Sequence, residues 1–315
     1  MINSKICDLL GITYPIFQGA MAWISDAQLA AAVSNAGGLG IIAGGSAPAA
    51  YVREQIHQAR QLTDRPLGVN VMLMSPFAAE VAEVVAQEKV PVVTTGAGSP
   101  APYMATWREA GCAVIPVVPS SGIAKVVERL GATAVVAEGG ESGGHIGDLT
   151  TMSLIPQVCD AVSIPVLAAG GIGDGRGVAA ALMLGACGVQ MGTRFLVAEE
   201  CSIHPSYKAK IIAAKDIDTI ATGKRLGHPV RSLKTPFSKG FFDREYDSSI
   251  TNEELEKLGE GALRLAAHDG DEEAGCFMAG QISGLVHAEQ SAEEIITEVM
   301  GEAEELLRKA SAWVV

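Results

Sequence analysis

A glycine-rich run around one histidine is the clearest chemical signal in this sequence. Residues 138–147 read EGGESGGHIG, which places His145 between Gly144 and Gly147. Glycines let the backbone approach a flat ligand closely, and imidazole titrates near neutral pH. The pattern therefore predicts that His145 acts as a general acid or base, or contacts an anion. The alternative is a structural histidine that caps a turn or satisfies a buried carbonyl. Glu138 and Glu141 in the same run are either functional or solvated surface carboxylates.

Two further glycine-rich turns have the composition of a phosphate site. Gly170-Gly171-Ile172-Gly173 and Gly192-Thr193-Arg194 lie about 22 residues apart. Bare backbone N–H groups at the start of a helix bind phosphate well. The first turn lacks the third glycine of a dinucleotide-binding fingerprint at the right offset. The pair therefore indicates a phosphate site of another kind.

The other histidines and the cysteines give weaker signals. Three histidines lie in helical or cap segments and are typical of surface or core positions: His57, His268 and His287. His228 lies in the run GHPVR and is harder to assign to a purely structural role. Cys201 and His204 form a lone C-x-x-H, which is too little for a metal site, so we predict none. The irregularly spaced cysteines are expected to be free thiols.

These residues can form one site only in a fold that brings them together, and the hydrophobic pattern predicts such a fold. Short β-branched runs alternate with helical patterns as far as about residue 195, which demands parallel strands and right-handed crossovers. Eight such units predict an α/β fold, a (β/α)₈ TIM barrel, with a doubly wound open sheet as the alternative. The predicted strands are Pro15–Gln18, Gly40–Ile42, Leu67–Val71, Val90–Thr94, Ala113–Val117, Ala134–Ala137, Val166–Ala169 and Gly188–Met191. The active site of such a barrel forms at the carboxyl ends of its strands, where the glycine-rich runs lie.

Composition narrows the class of protein. The chain has 315 residues, of which 48% are hydrophobic, and a net charge of −13. This hydrophobic content excludes disorder, and the negative charge argues against binding to nucleic acid or an anionic membrane. The N-terminus has no apolar signal core, so we expect a cytoplasmic protein. The long uncharged run between Asp26 and Arg53 contains polar residues, five glycines and a proline, so it does not indicate a membrane span.

The pattern changes after the eighth predicted strand. We expect residues 1–200 to form the barrel and residues 201–315 a mostly helical cap, whose C-terminal helices return to the barrel. Residues 204–244, called the basic segment below, hold nine basic and three acidic side chains. Residues 245–315 carry a net charge of −13. A local positive surface of this kind can attract an acidic partner to an acidic protein.

Several motifs resemble the nitronate monooxygenase-like family of FMN barrels, and the likeness runs along essentially the whole chain. The motifs are Ile16–Trp23, Val33–Gly40, Gly68–Asn70, Glu138–His145, Ala168–Ile172 and Gln190–Phe195. Within that family the chain is similar to the bacterial FMN-dependent enoyl-[acyl-carrier-protein] reductases, through its compact length, Thr94–Pro100 and Gly227–Arg231. One departure is Ala20, where the family usually has a second glycine and where a methyl group would crowd or adjust the flavin ring.

The resemblance implies that FMN lies across the barrel mouth. The turns at Gly170, Gly171, Gly192 and Thr193 would hold its phosphate. Gly19, Ala20 and Met21 would approach its ring, and Asn70 and Glu138 would hydrogen-bond the ring or the ribityl chain. The implied cofactor site also includes Gly143, Gly144 and Gln190. His145 would assist proton transfer.

The implied reaction is the last step of bacterial fatty-acid elongation. NADH or NADPH would reduce the flavin, which would pass hydride to the β-carbon of a trans-2-enoyl thioester. The expected partner is the acidic acyl carrier protein that bears the substrate, and the expected assembly is a homodimer. The choice between NADH and NADPH, the chain length and a requirement for a monovalent cation stay open.

Three other functions fit the sequence. A nitronate monooxygenase would use oxygen as electron acceptor and His145 as the base. An isomerase or synthase barrel would bind a phosphorylated substrate without flavin. A flavin carrier without catalytic activity would be reduced but would consume no enoyl substrate.

Overall fold

A closed barrel of parallel strands forms the body of the protein, in a computed structural model that describes residues 2–45 and 47–313. In chain order the strands are β1 (Ile16–Gln18), β2 (Gly40–Ala43), β3 (Leu67–Met72), β4 (Val92–Gly96), β5 (Ala113–Val118), β6 (Val135–Glu138), β7 (Gly144–His145), β8 (Val166–Ala169), β9 (Gly188–Met191), β10 (Thr219–Thr222) and β11 (Val230–Leu233). Eight of them form one sheet in the order β1-β9-β8-β6-β5-β4-β3-β2. A parallel bridge from Phe17 to Leu39 joins the two ends of that sheet. The predicted (β/α)₈ barrel is confirmed, and the open sheet is excluded.

Helices surround the barrel, and several begin at a side chain that caps the first turn. They are α1 (Lys5–Leu10), α2 (Ala27–Asn35), α3 (Ala49–Leu62), α4 (Ala78–Gln87), α5 (Met104–Glu109), α6 (Ser121–Arg129), α7 (Thr151–Cys159), α8 (Gly175–Met183), α9 (Thr193–Leu196), α10 (Pro205–Ala213), α11 (Pro236–Glu245), α12 (Asn252–Gly259), α13 (Ala262–Arg264) and α14 (Ala292–Lys309). The Asp26 carboxylate accepts a hydrogen bond from the Leu29 N–H at 3.0 Å, and Ser120 accepts one from Ile123. Such caps satisfy N–H groups that the first turn leaves free.

Apolar side chains fill the inside of the barrel. Phe17, Ile41, Ile115, Val136 and Leu167 are fully buried and belong to one cluster there. Two larger clusters lie between the strands and the surrounding helices. A packed interior leaves the ends of the barrel as the places where polar chemistry can occur.

The C-terminal helix completes the ring around the barrel. α14 packs against α8 and α2, so it occupies the place of the helix that follows the last barrel strand. The approach is close, because a side chain at Gly175 would lie 2.5 Å from the Ala303 nitrogen. The Gly175 N–H also donates to the Glu302 carboxylate at 2.7 Å. The segment between α9 and α14 is therefore an insertion between the eighth strand and its helix.

That insertion is mostly helical, but it also contains strands that the sequence did not predict. β10, β11 and β7 form an antiparallel sheet beside the barrel mouth. His145, expected in a loop, lies in β7 opposite Val230 of β11. The two unpredicted strands read TIAT and VRSL, and neither alternates apolar with polar side chains as a half-buried strand would. None of the described helices combines the length and the apolar character that crossing a membrane requires.

Candidate active site

The predicted site residues converge at the carboxyl end of the barrel. Three neighbouring strand pairs bring Gln18 opposite Met191, Ala169 opposite Gln190, and Glu138 opposite Ala169. Each of these strands ends in a loop that the sequence singled out. Asn70 lies farther round the barrel in β3, between Ala43 and Thr94. The mouth is therefore lined by the loops after β1, β6, β8 and β9.

A buried glutamine fixes the loop after β1. The Gln18 side chain donates to the Gly19 carbonyl at 2.6 Å and to the Ser25 hydroxyl at 2.9 Å. Its oxygen accepts from the Ile41 N–H at 3.1 Å, and Ser25 in turn accepts from the Met21 N–H at 2.9 Å. These bonds fix the backbone of Gly19, Ala20 and Met21. The sequence marked that loop but did not identify Gln18 and Ser25 as its supports.

The backbone of this loop lies close to the loop after β9. A Cβ atom on Gly19 would lie 3.2 Å from the Gln190 side chain, and one on Gly192 would lie 3.8 Å from the Met21 sulfur. Gly19, Gln190, Gly192 and Met21 therefore lie together, as predicted for a cofactor-binding surface. Whether they bind a cofactor stays a prediction.

The turns after β8 and β9 present free backbone donors. Gly170 and Gly171 adopt left-handed φ values of 85° and 70°. Within residues 2–45 and 47–313, the N–H groups of Gly171 and Gly192 donate to no protein acceptor. The Thr193 hydroxyl accepts from the Gly280 N–H at 2.9 Å, which leaves its own proton available for a ligand. This set of donors fits a phosphate group.

Glu138 is the last residue of β6, and the pKa of its carboxyl group is unusually high. Burial raises its pKa to about 7, and the nearby Ser142 hydroxyl opposes part of this shift. Glu138 can thus donate or accept a hydrogen bond near neutral pH. Across the barrel, the Asn70 side-chain nitrogen donates to the Thr94 hydroxyl at 3.0 Å, which leaves its carbonyl oxygen free. Both side chains match the hydrogen-bonding role that the resemblance implied, a role that stays a prediction.

His145 has a second histidine beside it. The centroids of the His145 and His228 rings lie 6.2 Å apart, with the ring planes at 52°. Desolvation by the surrounding protein lowers the pKa of His145, and His228 lowers it further. His145 therefore favours its neutral form, which can accept a proton. Sequence reasoning noted His228, but only the fold reveals that the two rings meet.

The glycine-rich loop is held from three sides. The Arg231 guanidinium donates to the Gly140 carbonyl through Nε at 3.2 Å and Nη2 at 2.9 Å. The Glu141 carboxylate accepts from the N–H and hydroxyl of Thr151 at 3.0 and 2.9 Å, so it caps α7. A side chain at Gly143 would lie 2.7 Å from the Ala279 backbone. The loop is thus a fixed part of the mouth.

Several cations of the basic segment are bound within the protein, so fewer are available to a partner than its net charge suggests. Lys208 is buried and pairs with Glu289, and Lys210 pairs with Glu272 at 2.8 Å. Arg225 donates to several backbone carbonyls and Arg231 supports the glycine-rich loop. Exposed cations remain at other positions of the segment: Lys215, Lys224, Lys234, Lys239 and Arg244. Within the described chain no cluster of three or more potential metal ligands occurs.

Several known proteins are similar to this chain in sequence, and solved structures are similar to it in fold. The nitronate monooxygenase family model matches residues 3–87 and 76–302. FabK of Thermotoga maritima, an enoyl-[acyl-carrier-protein] reductase II, superimposes with a TM-score of 0.97 and 47% identity, covering 100% of each chain. A Mycobacterium tuberculosis protein, (3aS,4S,5R,7aS)-5-hydroxy-7a-methyl-1-oxo-octahydro-1H-indene-4-carboxyl-CoA dehydrogenase, is 33% identical over 99% of both chains. A probable nitronate monooxygenase of Staphylococcus saprophyticus is 32% identical over 98% of this chain and 99% of its own.

Proposed function

Since this chain belongs to the nitronate monooxygenase family, a family of flavin-dependent oxidoreductases, we propose that it is an FMN-dependent enoyl-[acyl-carrier-protein] reductase. It would use NADH or NADPH to reduce a trans-2-enoyl thioester. The observation that carries the proposal is the 47% identity to FabK along the entire chain. The identity to the Staphylococcus protein is lower, at 32%.

The donors and glycines at the mouth fit FMN. The N–H groups of Gly171 and Gly192 are free for the phosphate, with the Thr193 hydroxyl beside them. Gly19 and Ala20 would bring only backbone and a single methyl group towards the flavin ring. When bound, FMN would supply the redox chemistry, taking hydride from NAD(P)H and delivering it to the β-carbon of the enoyl thioester.

The protein's own contribution is orientation and proton transfer. A ring nitrogen of His145 would give a proton to the α-carbon of the thioester, where negative charge develops. Glu138, with its pKa near 7, would hydrogen-bond the cofactor in either protonation state. The fixed loop from Gly139 to Gly144 would hold the reacting groups in register, which is the source of much of an enzyme's rate enhancement.

Nitronate oxidation is the second candidate, and the state of His145 favours it. The lowered pKa of His145 suits a base that removes the α-proton of a nitroalkane and so forms the nitronate. The Staphylococcus relative carries the corresponding name. This reaction would need oxygen and no pyridine nucleotide.

Stopped-flow reoxidation separates the two functions. The NADH- or NADPH-reduced protein is mixed with crotonyl thioester, propyl nitronate or oxygen, and flavin absorbance is followed. Rapid reoxidation by the thioester, faster than by oxygen, supports the reductase. Turnover of nitronate without NAD(P)H, and no reaction with the thioester, would overturn it.

A further inference from the structure

The second histidine at the mouth has no part in the function proposed so far. We propose that His228 does not touch the substrate but acts through His145. It would serve as a proton relay that connects His145 to solvent. This inference rests on the proposed function only in taking His145 as the group that exchanges a proton with substrate. It holds for enoyl reduction and for nitronate oxidation alike.

His228 directly follows a turn that is built to stay in place. The turn runs from Gly223 to Gly227, whose left-handed φ values are 80° and 82°. The Glu245 carboxylate, only 2% exposed, accepts from the N–H groups of Gly223 at 2.9 Å and Arg225 at 2.8 Å. A buried carboxylate with two backbone donors fixes a turn firmly, since either partner alone would be left unsatisfied.

The arginine of this turn adds a second anchor. The Arg225 guanidinium donates to the carbonyls of Glu245, Asp247 and Ile250 and to the Asn252 side chain. These bonds join the turn to the segment between α11 and α12. The turn therefore has little freedom to move independently of the cap.

His145 is attached to the same framework. It lies opposite Val230 in the β7–β11 pair, and the next residue, Ile146, donates its N–H to the Pro229 carbonyl at 3.0 Å. His145 is therefore part of a short antiparallel ladder, and His228 is the residue just before the Pro229 carbonyl that extends it. This arrangement brings the two ring centroids to 6.2 Å.

Neither imidazole is committed to another protein group. In the part of the chain that the structure describes, the two rings make no hydrogen bond to protein. A centroid separation of 6.2 Å is too long for a direct hydrogen bond but leaves room for one bridging water. Protein surrounds much of the His145 ring but leaves part of it exposed, and His228 is half-buried, so solvent reaches the pair.

Charges from every neighbouring element bear on how the pair shares a proton. Arg231 on β11 faces the loop but is bound to Gly140, and Glu141 is bound to Thr151. Lys224 and Arg225 lie in the turn itself, and Asp148 follows β7. Two imidazolium rings repel each other at this distance, so one proton on the pair is favoured over two.

The relay conserves protons. In enoyl reduction, His145 gives its ring proton to the substrate α-carbon and becomes neutral. Neutral His228 then takes a proton from solvent and gives one to a bridging water, which passes one to His145. The pair never carries two protons, and the net change is one solvent proton added to the substrate. If His145 instead took the α-proton of a nitroalkane to form the nitronate, the same transfers would run in reverse and release that proton to solvent.

The first test needs no turnover. Imidazole NMR signals of His145 are titrated in the flavin-free protein, for the wild type, His228→Gln and His287→Ala as an exposed control. We expect the pKa of His145 to rise in His228→Gln, because a positive neighbour is removed, and to stay unchanged in His287→Ala. An unchanged pKa in His228→Gln would overturn the coupling.

The second test is chemical rescue of the flavin-loaded enzyme, with whichever substrate the wild type consumes. We expect His228→Ala to lose about tenfold or more in kcat, with KM within twofold, and free imidazole to restore kcat in proportion to its concentration. His228→Gln should lose a similar factor without rescue. Wild-type kcat in His228→Ala, or a loss that imidazole does not restore, would overturn the relay. Failure of the proposed function is separate, since it would appear as wild-type inactivity with enoyl thioesters.

Discussion

At the scale of single residues, the proton transfer that we propose depends on His145. We expect His145→Ala to lower kcat by roughly 10²–10⁴, the usual value of positioned proton transfer, while FMN stays bound. Turnover of crotonyl thioester and flavin content per protein are the two measurements, with His287→Ala as the matched control. A kcat within a few-fold of wild type would make His145 structural.

Glu138 gives a prediction about stability that does not involve catalysis. Its pKa rises from 4.5 to about 7 on folding, so the folded state prefers the protonated carboxyl. This preference favours the folded state fully below pH 4.5. The advantage is lost as pH rises from 4.5 through about 7, which lowers the free energy of unfolding by up to about 3 kcal/mol. Glu138→Gln should stabilise the flavin-free protein at pH 8 and have little effect at pH 4.5.

Urea unfolding at the two pH values measures this difference. The exposed Glu260→Gln is the control and should show no such pH dependence. Equal effects of Glu138→Gln at both pH values would mean that the carboxyl is not desolvated in the folded state.

Sequence predicts some residues of the site better than others, for a physical reason. The glycines and His145 are identifiable because their types are unusual where they occur, directly after apolar strands. Gln18 acts through partners that only folding brings near, such as the Ile41 N–H, 23 residues along the chain. The meeting of His145 with His228 depends on a strand pair that spans more than eighty residues of sequence.

At the scale of elements, the turn after β8 carries the strongest prediction. Gly171→Asp should abolish FMN binding, because it places negative charge against the phosphate and a side chain at a φ of 70°. Gly171→Ala carries the same backbone strain without the charge and should retain more flavin. Flavin absorbance per purified protein measures both. Full occupancy in Gly171→Asp would remove this turn from the site.

The barrel strands were predictable because each is a short apolar run between polar turns. β10 and β11 were not, because their side chains are half polar and the pairing of β11 with β7 depends on the completed barrel. The site consequently has a part that sequence reveals, the strand ends, and a part that it does not, the cap sheet that holds His145.

At the scale of the whole molecule, segregated charge suggests how a carrier protein would be recognised. The chain is acidic overall, yet its basic segment has exposed lysines beside others that are paired internally. Arg225 and Arg231 support backbone, so their replacement would disturb the fold as well as the surface charge. Replacing exposed lysines therefore tests electrostatic attraction of the carrier protein without disturbing the fold.

We therefore expect the triple variant Lys224→Gln, Lys234→Gln, Lys239→Gln to raise KM for enoyl-[acyl-carrier-protein] several-fold, while KM for a small enoyl thioester stays unchanged. Extended surface charge attracts an acidic protein, whereas a short analogue reaches only the pocket. Added salt should reduce the difference between variant and wild type, because exposed charges are screened over about 8 Å at physiological ionic strength. The matched control is Lys257→Gln, an exposed lysine in the acidic C-terminal part of the chain. A selective rise in KM for NAD(P)H would mean that the basic segment binds the nucleotide. No change in KM for any ligand would mean that these lysines attract neither the carrier protein nor the nucleotide.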